Sequence, residues 1–110
     1  MSLSTKQCVP CRGGVPPLDS NQARQYLTEV PGWNLAEASR IQRRFEFKDF
    51  AGAAAFVDRV AELAEREGHH PDICFGWGYC DVTLYTHKIK GLHENDFIMA
   101  AKINEVYGHG

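Results

Sequence analysis

The 110-residue sequence has no apolar run near the roughly 20 residues that a membrane-spanning helix needs. It has no excess of positive charge: 12 Lys and Arg stand against 14 Asp and Glu, which argues against direct nucleic-acid binding through bulk charge. Residues 1–7 lack the apolar centre of a secretory signal, so we expect a cytoplasmic protein with no membrane partner. With 44% hydrophobic and 24% charged residues, the composition and length predict a single globular domain over 1–110.

The sequence has only four cysteines, and their spacing leaves several interpretations open. Cys8 and Cys11 are two residues apart, a spacing found in zinc sites and redox pairs, but Cys74 and Cys80 do not form a second close pair. The first pair lies among prolines and glycines, which cannot open a helix as a thioredoxin-like pair would. We therefore favour structural thiols over metal or redox chemistry in an irregular N-terminal segment, 1–17.

Hydrophobic periodicity predicts seven secondary-structure elements. The longest is a helix over 50–67, with Asp49 as N-cap, apolar residues at three- and four-residue steps, and Gly68 at its left-handed end. Shorter helices are predicted over 20–27 and 94–107. Alternating apolar positions predict four strands: 33–35, 41–47, 73–77 and 80–87, the last two joined by a type II′ turn at Gly78-Tyr79. The order α-β-β-α-β-β-α predicts an α+β fold, a four-stranded antiparallel sheet with three helices packed on one face.

Three histidines are predicted to meet at one end of this sheet. His69 and His70 follow the end of the long helix directly, and Pro71 favours an extended backbone before it. His87 lies at the far end of the hairpin's second strand, which returns to the start of the first. Histidine titrates near neutral pH, so the cluster is a candidate acid–base site. A metal site that adds Asp96 or Glu65 is the weaker alternative, because adjacent rings seldom chelate one ion.

Together with their neighbours, the histidines form one longer pattern: Glu65-x3-His69-His70-Pro71-x5-Trp77-x9-His87-x8-Asp96. This pattern resembles the signature of the pterin-4a-carbinolamine dehydratases, also called 4a-hydroxytetrahydrobiopterin dehydratases. Flanking segments are similar too, including the Cys8-x-x-Cys11 segment, which resembles the N-terminus of bacterial-type members. One departure is His93, which stands where many members have Ser or Thr to cap the final helix.

The resemblance implies a reaction that needs proton transfer at two places. A dehydratase of this kind removes water from 4a-hydroxytetrahydropterin, giving quinonoid dihydropterin, and so recycles the cofactor of aromatic amino-acid hydroxylases. An acid must protonate the departing hydroxide and a base must accept a ring proton, so no metal or redox cofactor is required.

The resemblance also implies roles for individual residues. His69, His70 and His87 are the expected catalytic group, with the division of acid and base roles left open. Asp96 is expected to orient an imidazole or to bind the pterin, although an acid in the first turn also stabilises a helix. Trp77 and Glu65 are carried over as residues of the substrate site, and packing or helix-surface roles stay open for both.

The resemblance alone does not decide between catalysis and binding. The resemblance implies a homodimer or homotetramer, and an open sheet face and strand edge are consistent with self-association. Some relatives are dimerisation cofactors of transcription factors, and others are Rubisco assembly factors without evident dehydratase activity. The presence of all three histidines favours the enzyme over such a non-catalytic relative.

Overall fold

The computed structural model describes residues 3–9, 16–37 and 39–109, so Cys11 lies outside the described residues. The helices are α1 (Ser20–Leu27), α2 (Phe50–Glu67) and α3 (Glu94–His109), and the strands are β1 (Asn34–Ala36), β2 (Arg40–Glu46), β3 (Asp72–Gly76) and β4 (Tyr79–Leu84). Short 3-10 turns occur at Leu3–Thr5 and His87–Ile89. The predicted α+β fold and the predicted order of helices and strands are confirmed.

The four strands form one antiparallel sheet in the order β1-β2-β4-β3. Alternate residues of β2 and β4 point into the core and are buried: Ile41, Phe45, Cys80, Val82 and Leu84. The residues between them form a polar outer face, where Arg44 donates two hydrogen bonds to Asp81 at 2.8 and 2.9 Å. This period of two places the apolar core on the helix side of the sheet.

Helix α2 begins and ends where its sequence predicts. The Asp49 carboxylate accepts a hydrogen bond from the Gly52 amide at 2.7 Å, and Gly68 adopts a left-handed backbone with φ of 69°. Its apolar face includes Phe56, whose ring lies 4.8 Å from that of Phe45 on β2. No helix in the described parts of the chain combines the length and apolar character needed to cross a bilayer.

The hairpin differs from the prediction in its turn and in its end. Its loop residues are Trp77 and Gly78, because Gly76 pairs with Tyr79. Gly78 has φ of 82° at the second loop position, whereas a type II′ turn requires positive φ at the first, so the predicted turn type is wrong. Strand β4 ends at Leu84, and His87 begins a 3-10 turn rather than continuing the strand.

The early end of β4 has a local cause. The Thr86 amide donates to the Gly91 carbonyl at 2.8 Å, closing a tight loop that places Lys90 in the left-handed region. The backbone of Thr86 is therefore paired with the other end of its own loop instead of with a neighbouring strand.

Candidate active site

A surface cavity of about 480 Å³ lies at the end of the sheet, and the structure brings His69, His70 and His87 together at its border. The first two come from the segment between α2 and β3, and the third from the 3-10 turn after β4. Cys8 and Val9 of the N-terminal segment form part of the same lining. Residues separated by nearly eighty positions in sequence therefore share one solvent-accessible hollow.

His69 is held by a buried carboxylate. Its Nε2 lies 2.6 Å from Oδ1 of Asp96, whose side chain is fully buried, and the His69 side chain itself is only 11% exposed. An ionised carboxylate can only accept hydrogen bonds, so Nε2 is the protonated nitrogen in this pair. Nδ1 is then the ring nitrogen that remains available to exchange a proton with a ligand.

The other oxygen of Asp96 is also fully engaged. Oδ2 accepts a hydrogen bond from the Thr86 hydroxyl at 2.8 Å and one from the His93 amide at 3.0 Å. Thr86 is 3% exposed, so its hydroxyl has no access to bulk water in place of this bond. Asp96 thus connects three segments of chain at the cavity: the one after α2, the one after β4 and the start of α3.

His93 precedes α3 and caps its first turn. Its Nδ1 accepts a hydrogen bond from the Asn95 amide at 3.0 Å, while Asp96 accepts from the His93 amide. These reciprocal bonds resemble a capping box, except that the imidazole nitrogen accepts from the second helical residue, Asn95, and not from the third. Helix α3 begins at Glu94 as predicted, and Asp96 lies in its first turn.

The remaining two histidines lie in different surroundings. Nε2 of His70 is 2.6 Å from Oε2 of Glu65, but the two side chains are 61% and 78% exposed. The ring of His87 packs against Tyr85, with 4.1 Å between the ring centroids. Glu65 therefore contacts a predicted catalytic histidine but is not among the residues that line the cavity, and its role in substrate binding stays a prediction.

Trp77 is not brought to the cavity. It lies in the loop between β3 and β4, at the opposite end of the hairpin from the segment that carries His87, and it is 72% exposed. Its predicted role in substrate binding has no support from contacts within one chain.

Sequence reasoning missed Thr86, Asn95 and the N-terminal lining. For Thr86 a signal exists, because it continues the inward series of Cys80, Val82 and Leu84, where a hydroxyl needs a buried partner. Asn95 and Cys8 meet only through the tertiary structure, and periodicity carries no information on such a contact.

The described cysteines, Cys8, Cys74 and Cys80, are free thiols. Burial and the nearby Glu67 carboxylate raise the pKa of the Cys8 thiol to about 12, so it is protonated at neutral pH. Among residues 3–9, 16–37 and 39–109, no three His, Cys, Asp or Glu side chains are grouped so that they could hold a metal ion.

Residues 16–106 match the family model for pterin 4 alpha carbinolamine dehydratase. The chain belongs to this family. Within the pterin carbinolamine dehydratase family, the chain is 56% identical over 109 residues to a protein of Azoarcus sp. strain BH72, covering 98% of this chain and 93% of that protein. It is 58% identical over 105 residues to one of Halorhodospira halophila, covering 94% and 96%. The names of both relatives give pterin-4-alpha-carbinolamine dehydratase as a proposed activity.

Two solved structures of the pterin dehydratase type resemble the chain. One is described as a transcriptional coactivator/pterin dehydratase from Brucella melitensis, with a TM-score of 0.79, 35% identity and coverage of 84% of this chain and 99% of that one. The other is a pterin dehydratase-like protein described as a RuBisCO assembly factor in the alpha-carboxysome, with a TM-score of 0.61, 30% identity and coverage of 70% and 90%. The descriptions of these two structures thus name binding roles as well as catalysis.

Proposed function

We propose that this protein is a hydro-lyase that dehydrates 4a-hydroxytetrahydropterin to quinonoid dihydropterin. The observation that carries the proposal is the convergence of His69, His70 and His87 on one cavity, in a chain of this family. The C4a–O bond breaks as the oxygen receives a proton, and a ring N–H releases one, so water and the quinonoid product account for every atom.

The histidine surroundings suit a reaction that moves two protons. Nε2 of His69 and Nε2 of His70 each face a carboxylate, which leaves Nδ1 of each ring for exchange with substrate. Side chains that titrate near pH 7 can both donate and accept protons there, and each well-placed acid or base contributes about 10²- to 10⁴-fold to such a rate. The three imidazoles supply more than the two groups that the reaction needs.

The test follows the decay of carbinolamine absorbance while a tetrahydropterin-dependent hydroxylase generates the substrate. Wild-type protein is expected to accelerate the decay, and His69→Ala, His70→Ala and His87→Ala are each expected to lower kcat. Asp81→Asn is the matched control, since it alters a paired side chain on the outer sheet face, away from the cavity. Decay that is no faster with wild-type protein than without it would overturn the proposal.

A binding role without catalysis is the alternative, and it is favoured by the similarity to the RuBisCO assembly factor. The same assay separates the two functions, because a scaffold does not turn over the carbinolamine. For such a scaffold, His87→Ala would leave the rate of carbinolamine decay unchanged.

The proposal includes self-association as a homodimer or homotetramer. Strand β3 is an edge strand, and Phe75 on it lies 5.5 Å from the half-exposed ring of Phe50. Exposed Trp77 is adjacent in the hairpin loop, and exposed apolar groups at a sheet edge are typical of an interface. Light scattering of the purified protein tests this, and a monomer would refute it. The functional link to a hydroxylase and the cytoplasmic location stay predictions.

A further inference from the structure

The N-terminal arm, residues 3–9, runs along α3 towards the cavity. At its start, Leu3 is buried in the core and the Ser4 hydroxyl donates to Glu105 at 2.6 Å. Further along, Lys6 forms an ion pair of 2.7 Å with Glu94, the first residue of α3. The arm is therefore anchored along the length of the helix before it reaches the histidines.

The last two residues of the arm, Cys8 and Val9, are hydrogen-bonded to the side chains of Glu67 and Asn95, close to the histidines. The bonds between Asn95 and Val9 are called the latch below. The buried side-chain amide of Asn95 pairs with the backbone of Val9 in both directions: Oδ1 accepts from the Val9 amide at 3.0 Å, and Nδ2 donates to the Val9 carbonyl at 2.7 Å. The Cys8 amide donates to Oε1 of Glu67 at 2.9 Å. Asn95 precedes Asp96 directly, so the latch and the His69 partner share one turn of helix.

The latched residues present an uncharged surface to the cavity. Val9 borders it with 56% of its surface exposed, which leaves an apolar side chain in water beside charged and polar groups. Cys8, also in the lining, is a neutral thiol at physiological pH. A flat heterocycle needs apolar contact as well as proton-transfer groups, and the histidine side of the cavity supplies the latter.

We infer that the arm forms a wall of the pterin site, with Val9 and Cys8 in contact with the bound substrate and Asn95 as the positioning residue that holds them there. This inference rests on the proposed dehydratase function and assigns it a binding surface outside the histidine cluster. The wall contributes to substrate affinity and not to proton transfer. Its loss should therefore raise KM and leave kcat nearly unchanged.

Steady-state kinetics test the wall with two variants that act differently. Val9→Ala keeps the latch and trims the side chain, and it is expected to raise KM by about 3- to 10-fold, as removal of partly buried methyl groups predicts. Asn95→Ala removes both hydrogen bonds that hold Val9 and is expected to raise KM by at least as much, with kcat within about 2-fold of wild type. Ser4→Ala is the control, because it removes a hydrogen bond of the same arm at the end far from the cavity.

Alkylation of Cys8 gives a readout that does not depend on turnover. With iodoacetamide and mass spectrometry, saturating dihydrobiopterin is expected to slow the modification of Cys8 in wild-type protein. Asn95→Ala is expected to accelerate it by about 3-fold or more, since loss of both Val9 bonds lets the chain beside the half-buried Cys8 thiol move away from the cavity. Cys74 on the exposed outer sheet face is the internal reference and should react equally in all samples.

The outcomes distinguish this inference from the proposed function. If wild-type protein dehydrates the carbinolamine while Val9→Ala and Asn95→Ala keep its KM and ligand does not protect Cys8, the wall is refuted and the dehydratase stands. If wild-type protein neither turns over nor binds the pterin, the proposed function fails and the wall fails with it. If Asn95→Ala unfolds, Val9→Ala and the protection of Cys8 in wild type still decide the question.

Discussion

Replacing Asp96 with Asn should impair catalysis much more than it impairs folding. Oδ2 accepts from the Thr86 hydroxyl and from the His93 amide, which can only donate. The oxygen of Asn must therefore take the Oδ2 position, and its NH₂ group must face Nε2 of His69. That nitrogen then has to accept a hydrogen bond, which moves the His69 proton to Nδ1.

The inverted tautomer disables His69 whichever role it has. With its proton on Nδ1, the ring cannot accept a proton there as a base. A charged ring, which an acid would need, would place an N–H against the NH₂ of Asn. Acid–base groups contribute about 10²- to 10⁴-fold, and Asp96 acts through one of three histidines, so we expect kcat to fall by about 10- to 1000-fold.

The cost in stability should be small by comparison. Hydrogen bonds to a charged group contribute about 1 kcal/mol more than neutral ones, and three of them weaken in the variant. Against this, the neutral amide avoids the desolvation cost of a buried carboxylate. We expect a net loss of about 0–2 kcal/mol in the free energy of unfolding, or less than about 15 °C in Tm.

Three measurements check this prediction together: kcat from carbinolamine decay, Tm from calorimetry, and the ¹⁵N shifts of the His69 ring, which report its tautomer. Asp81→Asn makes the same chemical change in a carboxylate on the outer sheet face and should leave kcat unaltered. A folded Asp96→Asn protein with wild-type kcat, or with the His69 proton still on Nε2, would refute the reasoning.

Further variants probe the groups around this pair. Thr86→Val removes a buried hydroxyl that donates to Asp96, so urea unfolding should show a loss of about 1.5–3 kcal/mol; less than about 0.5 kcal/mol would contradict the assigned bond. Glu65→Gln weakens an exposed pair worth about 1 kcal/mol or less, so turnover should fall by no more than about 5-fold; a loss as large as that of Asp96→Asn would disprove this ranking. Burial raises the pKa of Cys80 from its ordinary 9.0 to about 11, so the thiol stabilises the fold fully below pH 9 and loses this effect as pH rises to 11. Unfolding curves of wild type and Cys80→Ala should therefore converge by about 2–3 kcal/mol over that interval, and parallel curves would show that the shift is absent.

The parts of the fold that were predicted correctly are those set by local patterning. Helix α2 has a cap, a continuous apolar face and a glycine at its end, and each signal points to the same boundaries. The sheet was predictable because β4 alternates throughout between buried and more exposed residues, and β2 does so except at the half-buried Arg43. Gathering three histidines needed only the hairpin and the helix end, so their meeting place also followed from local elements.

The features that sequence reasoning missed depend on geometry between distant segments. Gly78 can serve either loop position of a two-residue turn, and the pairing of Gly76 with Tyr79 decides which one it takes. The latch between Val9 and Asn95 joins an irregular segment to a helix 86 positions away through the backbone of Val9, which leaves no trace in side-chain periodicity. Side chains that bind another segment's backbone are thus the least predictable contributors to this cavity.

The two histidine–carboxylate pairs show that distance alone does not tell how strongly a carboxylate constrains its histidine. His69 with Asp96 and His70 with Glu65 are both 2.6 Å apart, yet one carboxylate is fully buried and the other is 78% exposed. Water screens the exposed pair and lets both of its side chains move, whereas Asp96 is held by two further donors from separate segments. The His69 ring is therefore held in one orientation, whereas the His70 side chain can move to fit the substrate. It follows that disturbing Asp96 should alter the site as a whole, while disturbing Glu65 should alter one side chain.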